Sequence, residues 1–259
     1  MTWARQGRWW VLVAAVLTAA LTARLGLWQL DRARQKIDRQ QQLEQRGALP
    51  PLPAAELALD EAGAAAQHFR RTTLQGRWLV ERTLFLDNRQ MNGRQGFFVV
   101  TPLLLPDGDA VLVQRGWVPR DFEDRSRLPA VPTATGPVRV AGRMAPPPAK
   151  LFELGQAELG PIRQNLELPA LAREFRVRLR PWSLQQLAPD QAVPAADGGT
   201  LVAPPADGLL RQWAAPALDV GKHHGYAFQW FALSALTTGL YVWFQLIRPR
   251  VARRTKTSR

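Results

Sequence analysis

Two adjacent histidines, His223 and His224, are the residues of this chain best suited to metal or cofactor chemistry. They stand at the start of a long apolar segment and are followed at once by an aromatic-rich run, Gly225-Tyr226-Ala227-Phe228-Gln229-Trp230-Phe231. A neutral imidazole is a frequent metal ligand and also serves haem iron. Taken alone, the pattern is more often that of ordinary polar residues at a membrane interface, which bind nothing.

Other chemistries have less support in the sequence. The chain has no cysteine, which excludes disulfides, covalent haem attachment and thiolate copper sites. None of the four serines lies in a Gly-x-Ser-x-Gly motif, and His68 is the single histidine outside the pair. No two of the 21 acidic residues stand out as a catalytic pair. We therefore expect a protein that is not an enzyme, and a membrane-anchored hydrolase is the distant alternative.

Two segments of the chain are apolar enough to cross a membrane. Tyr226 to Ile247 contains 22 residues without a formal charge, which as a helix would extend about 33 Å, enough for a hydrocarbon core of roughly 30 Å. Trp9 to Ala23 is apolar for 15 residues, and after Arg24 the apolar pattern resumes for six more. A guanidinium so near the end of a span can reach the headgroups along its flexible stem. We therefore predict membrane-spanning helices at 9–30 and 223–247.

A cleaved signal peptide is the competing interpretation of the first segment. Arg5 and Arg8 precede its apolar core, which contains Thr18-Ala19-Ala20 as a small-residue stretch. Apolar and aromatic residues continue beyond that stretch to Leu30, and a signal peptide has no use for them. The continuation favours a membrane span.

The chain carries a formal net charge of +13, and most of the excess lies near its ends. The segment 31–222 contains 25 Lys and Arg against 21 Asp and Glu, a net charge of +4, which leaves +9 for the other residues. Lys and Arg are enriched on the cytoplasmic side of membrane spans, so we predict a multi-pass protein of the cell inner membrane, with both termini cytoplasmic and a periplasmic central domain. The basic composition then requires no nucleic-acid partner. The flanking basic residues are Arg5, Arg8, Arg248, Arg250, Arg253, Arg254, Lys256 and Arg259.

The central region has the composition of a sheet. Runs rich in β-branched and aromatic residues are separated by turn signals, of which Asn92-Gly93 and Asp107-Gly108 are the strongest. The predicted fold class is an α+β membrane protein, with two transmembrane helices flanking an antiparallel β-rich domain that is a sheet or an open barrel. The predicted organisation is a cytoplasmic tail at 1–8, a first span at 9–30, a juxtamembrane helix and linker at 31–66, an exported domain at 67–222 with a surface loop at 189–208, a second span at 223–247 and a basic cytoplasmic tail at 248–259.

Four separate blocks of the sequence together resemble the Surf1/Shy1 family of cytochrome oxidase assembly factors. The order, the spacing and the two-span layout agree with that family as well. The blocks are Leu25-Gly26-Leu27-Trp28-Gln29-Leu30-Asp31-Arg32 with Lys36; Asp87-Asn88-Arg89 with Gly93 to Leu103; Val113-Gln114-Arg115-Gly116-Trp117-Val118-Pro119; and His223 to Phe231.

The resemblance implies an integral membrane protein that assists maturation of the haem-copper oxidase. Bacterial members similar to this chain bind haem a and present it to subunit I, so the implied cofactor is a transient haem a. The implied partners are cytochrome c oxidase subunit I and other oxidase assembly or haem a synthesis proteins. The alternative is a membrane scaffold that stabilises an oxidase assembly intermediate without binding haem.

The family's implicated imidazole is the first residue of a His-x-x-Tyr-Ala stretch, which here begins at His223 and includes Tyr226. We predict that His223 ligates the haem iron. The iron needs an imidazole ligand, the porphyrin needs an apolar wall, and the propionates need cations or water. The predicted wall residues are Trp28, Trp230 and Phe231, and the predicted propionate partners are Lys222, Arg32 and Arg115.

Several other residues of the four blocks have simple structural explanations. Gly26 would let the two spans approach closely. Asp87-Asn88-Arg89 is predicted to form a turn with a buried ion pair of Asp87 with Arg89 or Arg115, and Trp117 is predicted to lie in the core. Two positions depart from the family pattern: Gln114 replaces the usual Asn before Arg-Gly-Trp, and Gly160-Pro161-Ile162 lacks the usual Trp-Pro pair.

The basic flanks generate a prediction about topology. Reporter domains fused before Trp9 and after Arg250 should register as cytoplasmic, whereas a reporter inserted in the 189–208 loop should register as exported. Paired alkaline phosphatase and green fluorescent protein fusions measure this directly. A cytoplasmic signal from the loop would contradict the predicted orientation.

Overall fold

The structure is a computed structural model that describes residues 2–250, apart from 122, 125–126, 153–159, 193–205 and 214–218. Of residues 2–7 and 192 it describes the backbone only. The predicted tail beyond Arg250 and most of the predicted loop 189–208 lie outside the described residues. The chain divides into two compact units, one made of residues 1–41 and 215–259 and the other of residues 42–214.

The first unit is helical. Helix α1 spans Thr2–Ala48, and α4 spans Val220–Tyr241 and continues through a π-helical turn at Val242–Ile247. Both are long and apolar enough to cross a membrane. The predicted first span and the juxtamembrane helix after it form one uninterrupted helix, because the residues between 31 and 46 are mostly good helix formers and include neither glycine nor proline.

The second unit is built mainly from strands. Two short helices, α2 at Glu61–Gln67 and α3 at Leu168–Phe175, accompany the sheet. The described residues of this unit contain eight strands: β1 Arg71–Trp78, β2 Leu84–Met91, β3 Arg94–Leu104, β4 Asp109–Pro119, β5 Pro137–Ala145, β6 Ile162–Arg163, β7 Arg178–Gln186 and β8 Gln191–Ala192.

Five strands form a closed barrel in the order β1, β5, β7, β4, β3, with β1 returning to pair with β3. The closing contact is short and places Arg77 opposite Leu104 and Trp78 opposite Leu103. Strand β3 pairs with β4 and also with both β2 and β1. The last two pairings are compatible because β2 pairs with the first part of β3 and β1 with its end. Strand β6 extends the sheet beyond β2, and β8 pairs with β5.

The β-rich domain between two apolar helices is confirmed, but the predicted antiparallel sheet or open barrel was wrong in two respects. The barrel is closed, and the pairs β4–β7 and β2–β6 are parallel. Parallel neighbours need a long crossover connection, which β5, β6 and α3 supply between β4 and β7. Sequence patterns indicate where strands lie but not which distant strands pair.

The turns predicted at Asn92-Gly93 and Asp107-Gly108 are both confirmed. Asn92 and Gly93 have φ values of 52° and 75° and join the paired residues Met91 and Arg94. Positive φ at both central residues is the type I′ geometry that Asn-Gly favours, since its twist matches that of the strands. Gly108, with φ of 85°, completes the turn between β3 and β4.

The barrel interior is apolar. Along β1 and β5 buried and exposed residues alternate, so one set of side chains points inward and the other outward. Trp182 is fully buried, and its indole Nε1 donates to the Ala58 carbonyl at 2.9 Å, which ties the segment before α2 to the barrel. The inward-facing residues include Leu74, Trp78, Leu103, Val111, Val113, Val138, Val140, Met144, Trp182 and Leu184.

A β-bulge interrupts the pairing of β3 with β4. Val99 lies opposite Gly116 and Val100 opposite Gln114, so Arg115 is the extra residue of β4. A bulge bends the strand and redirects side chains, and here Arg115 is only 1% exposed. The bulge in β4 is therefore the feature that places the Arg115 guanidinium in the interior.

Trp117, next to the bulge, lies in the core as predicted. It is 1% exposed, and its indole Nε1 donates to the Arg89 carbonyl at 2.9 Å. The ring fits because Gly96 faces it: a Cβ at Gly96 would lie 2.5 Å from Trp117 Cζ2 and would also meet the carbonyl oxygen of Val118. The absence of a side chain at Gly96 is thus a packing requirement.

This packing requirement predicts that alanine substitutions at two glycines differ strongly in their effect on the free energy of unfolding. Gly96→Ala should lower the free energy of unfolding by about 1 to 3 kcal/mol, since overpacking forces the ring or the strand to move. Gly136→Ala is the matched control, because an added Cβ there meets no atom of the described residues within 4 Å. Urea titrations of the detergent-solubilised variants, followed by tryptophan fluorescence, measure both. Equal midpoints for the two variants would contradict the packing role of Gly96.

Candidate functional site

The two helices of the first unit pack through small side chains of α1. Thr22 is buried, and a Cβ at Gly26 would lie 2.8 Å from ring carbons of Phe231 on α4. Ser234 of α4 donates its hydroxyl to the carbonyl of Ala19 at 2.9 Å. Small residues allow this approach because they keep the backbones close, and close packing is what drives helix association in lipid. The prediction that Gly26 lets the two helices approach closely is confirmed.

His223 lies at the start of α4 and contacts a polar residue of α1. Its Nδ1 atom is 2.8 Å from Oε1 of Gln29. An amide oxygen only accepts hydrogen bonds, so in the neutral imidazole this contact places the proton on Nδ1 and leaves a lone pair on Nε2. Within the described part of the chain, no group hydrogen-bonds to Nε2. His224, by contrast, is exposed.

The aromatic residues of the predicted site differ in their surroundings. Trp230 follows His223 by seven positions and Ala227 by three, a helical spacing that places all three residues on one side of α4, where Ala227 is buried. Tyr226 and Trp28 are each 50% exposed. The helix pair therefore presents the imidazole beside accessible aromatic side chains.

Two of the three predicted propionate partners belong to the same unit and have neighbours of their own. Lys222 forms an ion pair with Asp219 at 2.9 Å. The Arg32 guanidinium lies 5.9 Å from the centre of the Trp28 ring and donates to Gln35 Oε1 at 3.1 Å. Both side chains are exposed, so these contacts leave other hydrogen-bond donors of each cation accessible.

Arg115 belongs to the other unit and is enclosed by the barrel domain. Its Nη1 donates to the Thr133 hydroxyl at 2.6 Å, and Nη2 lies 3.8 Å from Oδ2 of Asp207. The guanidinium carbon stands 4.7 Å from the centre of the Trp78 ring, a cation–π contact. Burial lowers the pKa of Arg115, and the charges of Asp190 and Asp207 oppose the shift. These contacts give Arg115 a structural role within the domain.

The turn and the ion pairs predicted at Asp87-Asn88-Arg89 were wrong, because all three residues lie within strand β2. Asn88 has φ of 58° and lies in a bulge of β2. Asp87 is 3.7 Å from Nη1 of Arg120. Arg89 instead donates to the carbonyls of Ala149 and Gln164, each at 2.9 Å. These partners come from loops far away in the chain, and nothing in the local sequence indicates them.

The two departures from the family pattern each occupy a defined place in the domain. Gln114 is buried, and its amide donates to the Ser183 hydroxyl at 2.7 Å, which links β4 to β7. The Pro161 carbonyl accepts from the backbone N–H of Phe85 at 2.7 Å, where β6 begins. Both positions therefore connect neighbouring strands.

Sequence reasoning assigned no role to Gln29, although the structure joins it directly to His223. The sequence did contain an indication that Gln29 has a partner. Gln29 follows Gly26 by three residues and precedes Ala33 by four, so helical spacing places a single amide on the stripe of small side chains. A polar side chain on the packed side of an apolar helix normally has a partner on the facing helix.

The fold and the site together define a protein with two candidate membrane helices that pack through small residues, and a closed β-barrel domain between them in sequence. A sequence model of the SURF1 family matches residues 16–235. The chain belongs to the SURF1 family.

The chain is similar to several relatives of that family. It is 32% identical over 136 residues to "Surfeit locus protein 1" of Arabidopsis thaliana, an alignment that covers 48% of this chain and 38% of the relative. It is 30% identical over 95 residues to "Cytochrome oxidase assembly protein SHY1" of Saccharomyces cerevisiae, covering 36% and 24%. It is 29% identical over 126 residues to an uncharacterized SURF1-like protein of Mycobacterium tuberculosis, covering 48% and 46%. The chain thus spans from a quarter to a half of the length of these relatives.

The contact of Gly26 with Phe231 predicts a strong effect of small substitutions in the helix pair. Gly26→Ala should destabilise the pair by about 1 to 3 kcal/mol, because the new methyl group overlaps the ring. Adding Phe231→Leu should recover part of the loss, since the two positions are coupled. Gly239→Ala is the control, as an added Cβ there meets nothing within 4 Å in the part of the chain that the structure describes. Thermal unfolding in mild detergent gives the comparison, and additive effects of Gly26→Ala and Phe231→Leu would contradict the contact.

Proposed function

We propose that this protein is a membrane-anchored assembly factor for haem-copper cytochrome c oxidase that binds haem a through His223 and presents it to subunit I. The observation that carries the proposal is the hydrogen bond between His223 and Gln29. It holds the imidazole in a defined orientation with Nε2 free of described partners. Haem a is cargo in this proposal, held for a time and then passed on.

The residues around His223 have the chemistry that a haem ligand site needs. Gln29 accepts a hydrogen bond from His223, as carboxylates and carbonyls do from metal-ligating histidines, and this bond fixes the ring and the tautomer. Trp28, Tyr226 and Trp230 supply apolar surface on the same helix pair. Arg32, three residues after Gln29 on α1, and Lys222, next to His223 on α4, are exposed cations that can neutralise propionates. The site needs no contribution from Arg115.

Membrane anchoring is part of the proposal and is supported by the length and composition of α1 and α4. With both basic ends in the cytoplasm, His223 lies at the outer boundary of the second span. An imidazole at that depth is close to water and to the apolar layer at once, which suits an amphipathic cargo such as haem. The barrel domain is then on the outer side of the cell inner membrane.

The partner is proposed from the yeast relative, whose name describes a protein of cytochrome oxidase assembly. If the present chain has the same role, the acceptor of its cargo is the oxidase subunit that contains haem a, which is subunit I. A scaffold that stabilises the same intermediate without haem is the alternative, and the two are separated by the colour of the purified protein.

Haem binding is tested by comparing the two neighbouring histidines. His223→Ala removes the oriented ligand and should lose most of the bound haem, whereas His224→Ala, which removes an exposed imidazole, should retain it. Gln29→Leu keeps the ligand but frees the ring and should weaken haem retention about 10-fold or more. The measurement is the haem content and the Soret band of each variant, purified in mild detergent from cells that make haem a, with membrane insertion verified.

The possible outcomes are distinct. A His223→Ala protein with unchanged haem content and an unshifted Soret band contradicts ligation by His223. Loss of colour in His224→Ala alone assigns the ligand to the neighbouring residue. A wild-type protein that is colourless, yet copurifies with an oxidase intermediate, supports the scaffold function instead.

A further inference from the structure

The outer surface of strands β1 and β5 is unusually basic. Both strands alternate between buried and exposed residues, so the outward set is defined by the burial pattern. We call this surface the arginine face. It consists of Arg71, Thr73, Gln75 and Arg77 of β1 and Arg139, Ala141 and Arg143 of β5.

The register of the two strands brings like charges together. Arg71 lies directly opposite Arg143, and Arg139 lies opposite Gln75, next to Arg77. Neither strand contains an acidic residue. Like charges at directly opposed positions of an antiparallel pair destabilise the sheet. The face therefore has a positive potential that its own residues do not balance.

Among the other described arginines of the domain, several are neutralised by carboxylates. Seven of them form ion pairs with carboxylates: Arg115, Arg120, Arg127, Arg163, Arg178, Arg180 and Arg211. Among the described residues, the four arginines of the arginine face form none. Arg143 donates its Nε to the Gln185 amide oxygen at 2.8 Å, which orients the side chain without neutralising it. Four unbalanced cations clustered on one face, with no acidic residue in either strand, indicate an anionic partner.

An apolar cleft adjoins the face at its Arg77 end. It has a volume of about 420 Å³ and lies between Gln75 to Arg77 on one side and Leu104 to Pro106 on the other, with Pro137 at its edge. A cation thus stands at the rim of an apolar-walled groove. That combination suits a ligand with an anionic head and an apolar body.

We propose that the arginine face docks on the anionic phospholipid headgroups of the bilayer, with the cleft receiving apolar lipid groups at the Arg77 end. This inference rests on the proposed membrane anchoring, which keeps the domain close to a bilayer. Phosphates attract arginines at a membrane surface without any specific shape. The outward residues between the arginines are Thr73, Gln75 and Ala141, so the face lacks the aromatic anchors that protein interfaces and single-stranded nucleic-acid sites use.

The absence of cysteine allows a direct test, because one introduced cysteine carries one fluorophore. Thr73→Cys places the label in the centre of the arginine face. Ala170→Cys places it on α3, which packs against strands other than β1 and β5 and is exposed at that position. The full chain is reconstituted in vesicles of phosphatidylcholine, alone or mixed with an equal amount of phosphatidylglycerol. Each vesicle contains a lipid with a quencher on its headgroup.

The docking proposal predicts quenching at Thr73→Cys at least about twofold above that at Ala170→Cys in the phosphatidylglycerol vesicles, and a smaller difference without phosphatidylglycerol. Raising the salt concentration should reduce the difference, since exposed charges are screened. Adding Arg71→Gln and Arg139→Gln should reduce it as well. The matched control is Arg94→Gln with Arg173→Gln, which removes the same charge from exposed positions elsewhere and should leave the difference unchanged.

Three outcomes would overturn the proposal, and they are distinguishable. If the protein stays in the vesicles after alkaline carbonate extraction but both labels are quenched equally, the docking of the arginine face is wrong and membrane anchoring stands. If carbonate extracts the protein, both the anchoring and the docking are wrong. A difference in quenching that neither phosphatidylglycerol nor the arginine substitutions change also overturns the proposal, because the face would then approach the bilayer for a reason other than charge.

Discussion

The burial of the Arg115 guanidinium is the constraint on which much of the barrel domain depends. A buried charge that lacks partners costs several kcal/mol, so the surrounding chain has to supply them. The bulge in β4 directs the side chain inward, and Trp78 covers it from the closing strand. Thr133 and Asp207 complete the shell from segments without regular structure. One side chain therefore connects the closing strand, the bulged strand and two connecting segments.

The segment that carries Asp207 is held by more than this charge. Leu210 exchanges two backbone hydrogen bonds with Trp117, at 2.7 and 2.9 Å. A Cβ at Gly116 would lie 2.7 Å from the Leu209 side chain, so the segment can only pack there because residue 116 is a glycine. Arg115, Gly116 and Trp117 thus hold the same part of the chain in three ways. Arg115 contributes its charge, Gly116 leaves room for Leu209, and Trp117 contributes its backbone hydrogen bonds. This gives the Arg-Gly-Trp block a structural explanation that does not involve a cofactor.

The parts of the structure that sequence could predict are those set by local chemistry. The two apolar helices followed from segment length and composition, and the turns at Asn92-Gly93 and Asp107-Gly108 followed from backbone preferences of those residues. The core position of Trp117 and the small-residue packing at Gly26 followed from residue size. Barrel closure, the parallel pairs and the partners of Asp87 and Arg89 did not, because they depend on contacts between distant segments. For the candidate site, the sequence indicated His223 but not its hydrogen-bond partner, since the partner is 194 positions away.

The identity of that partner has a consequence for the proposed transfer of haem. A carboxylate that accepts from a ligating histidine makes the imidazole a stronger donor and the metal bond tighter. An ionised carboxylate on a membrane helix would also be costly, whereas a neutral amide is less so. Gln29 orients His223 without adding charge, so it strengthens the imidazole as a ligand less than a carboxylate would. A carrier has to release its cargo, and a single ligand of ordinary strength at an accessible helix end meets that need better than a buried, carboxylate-supported one.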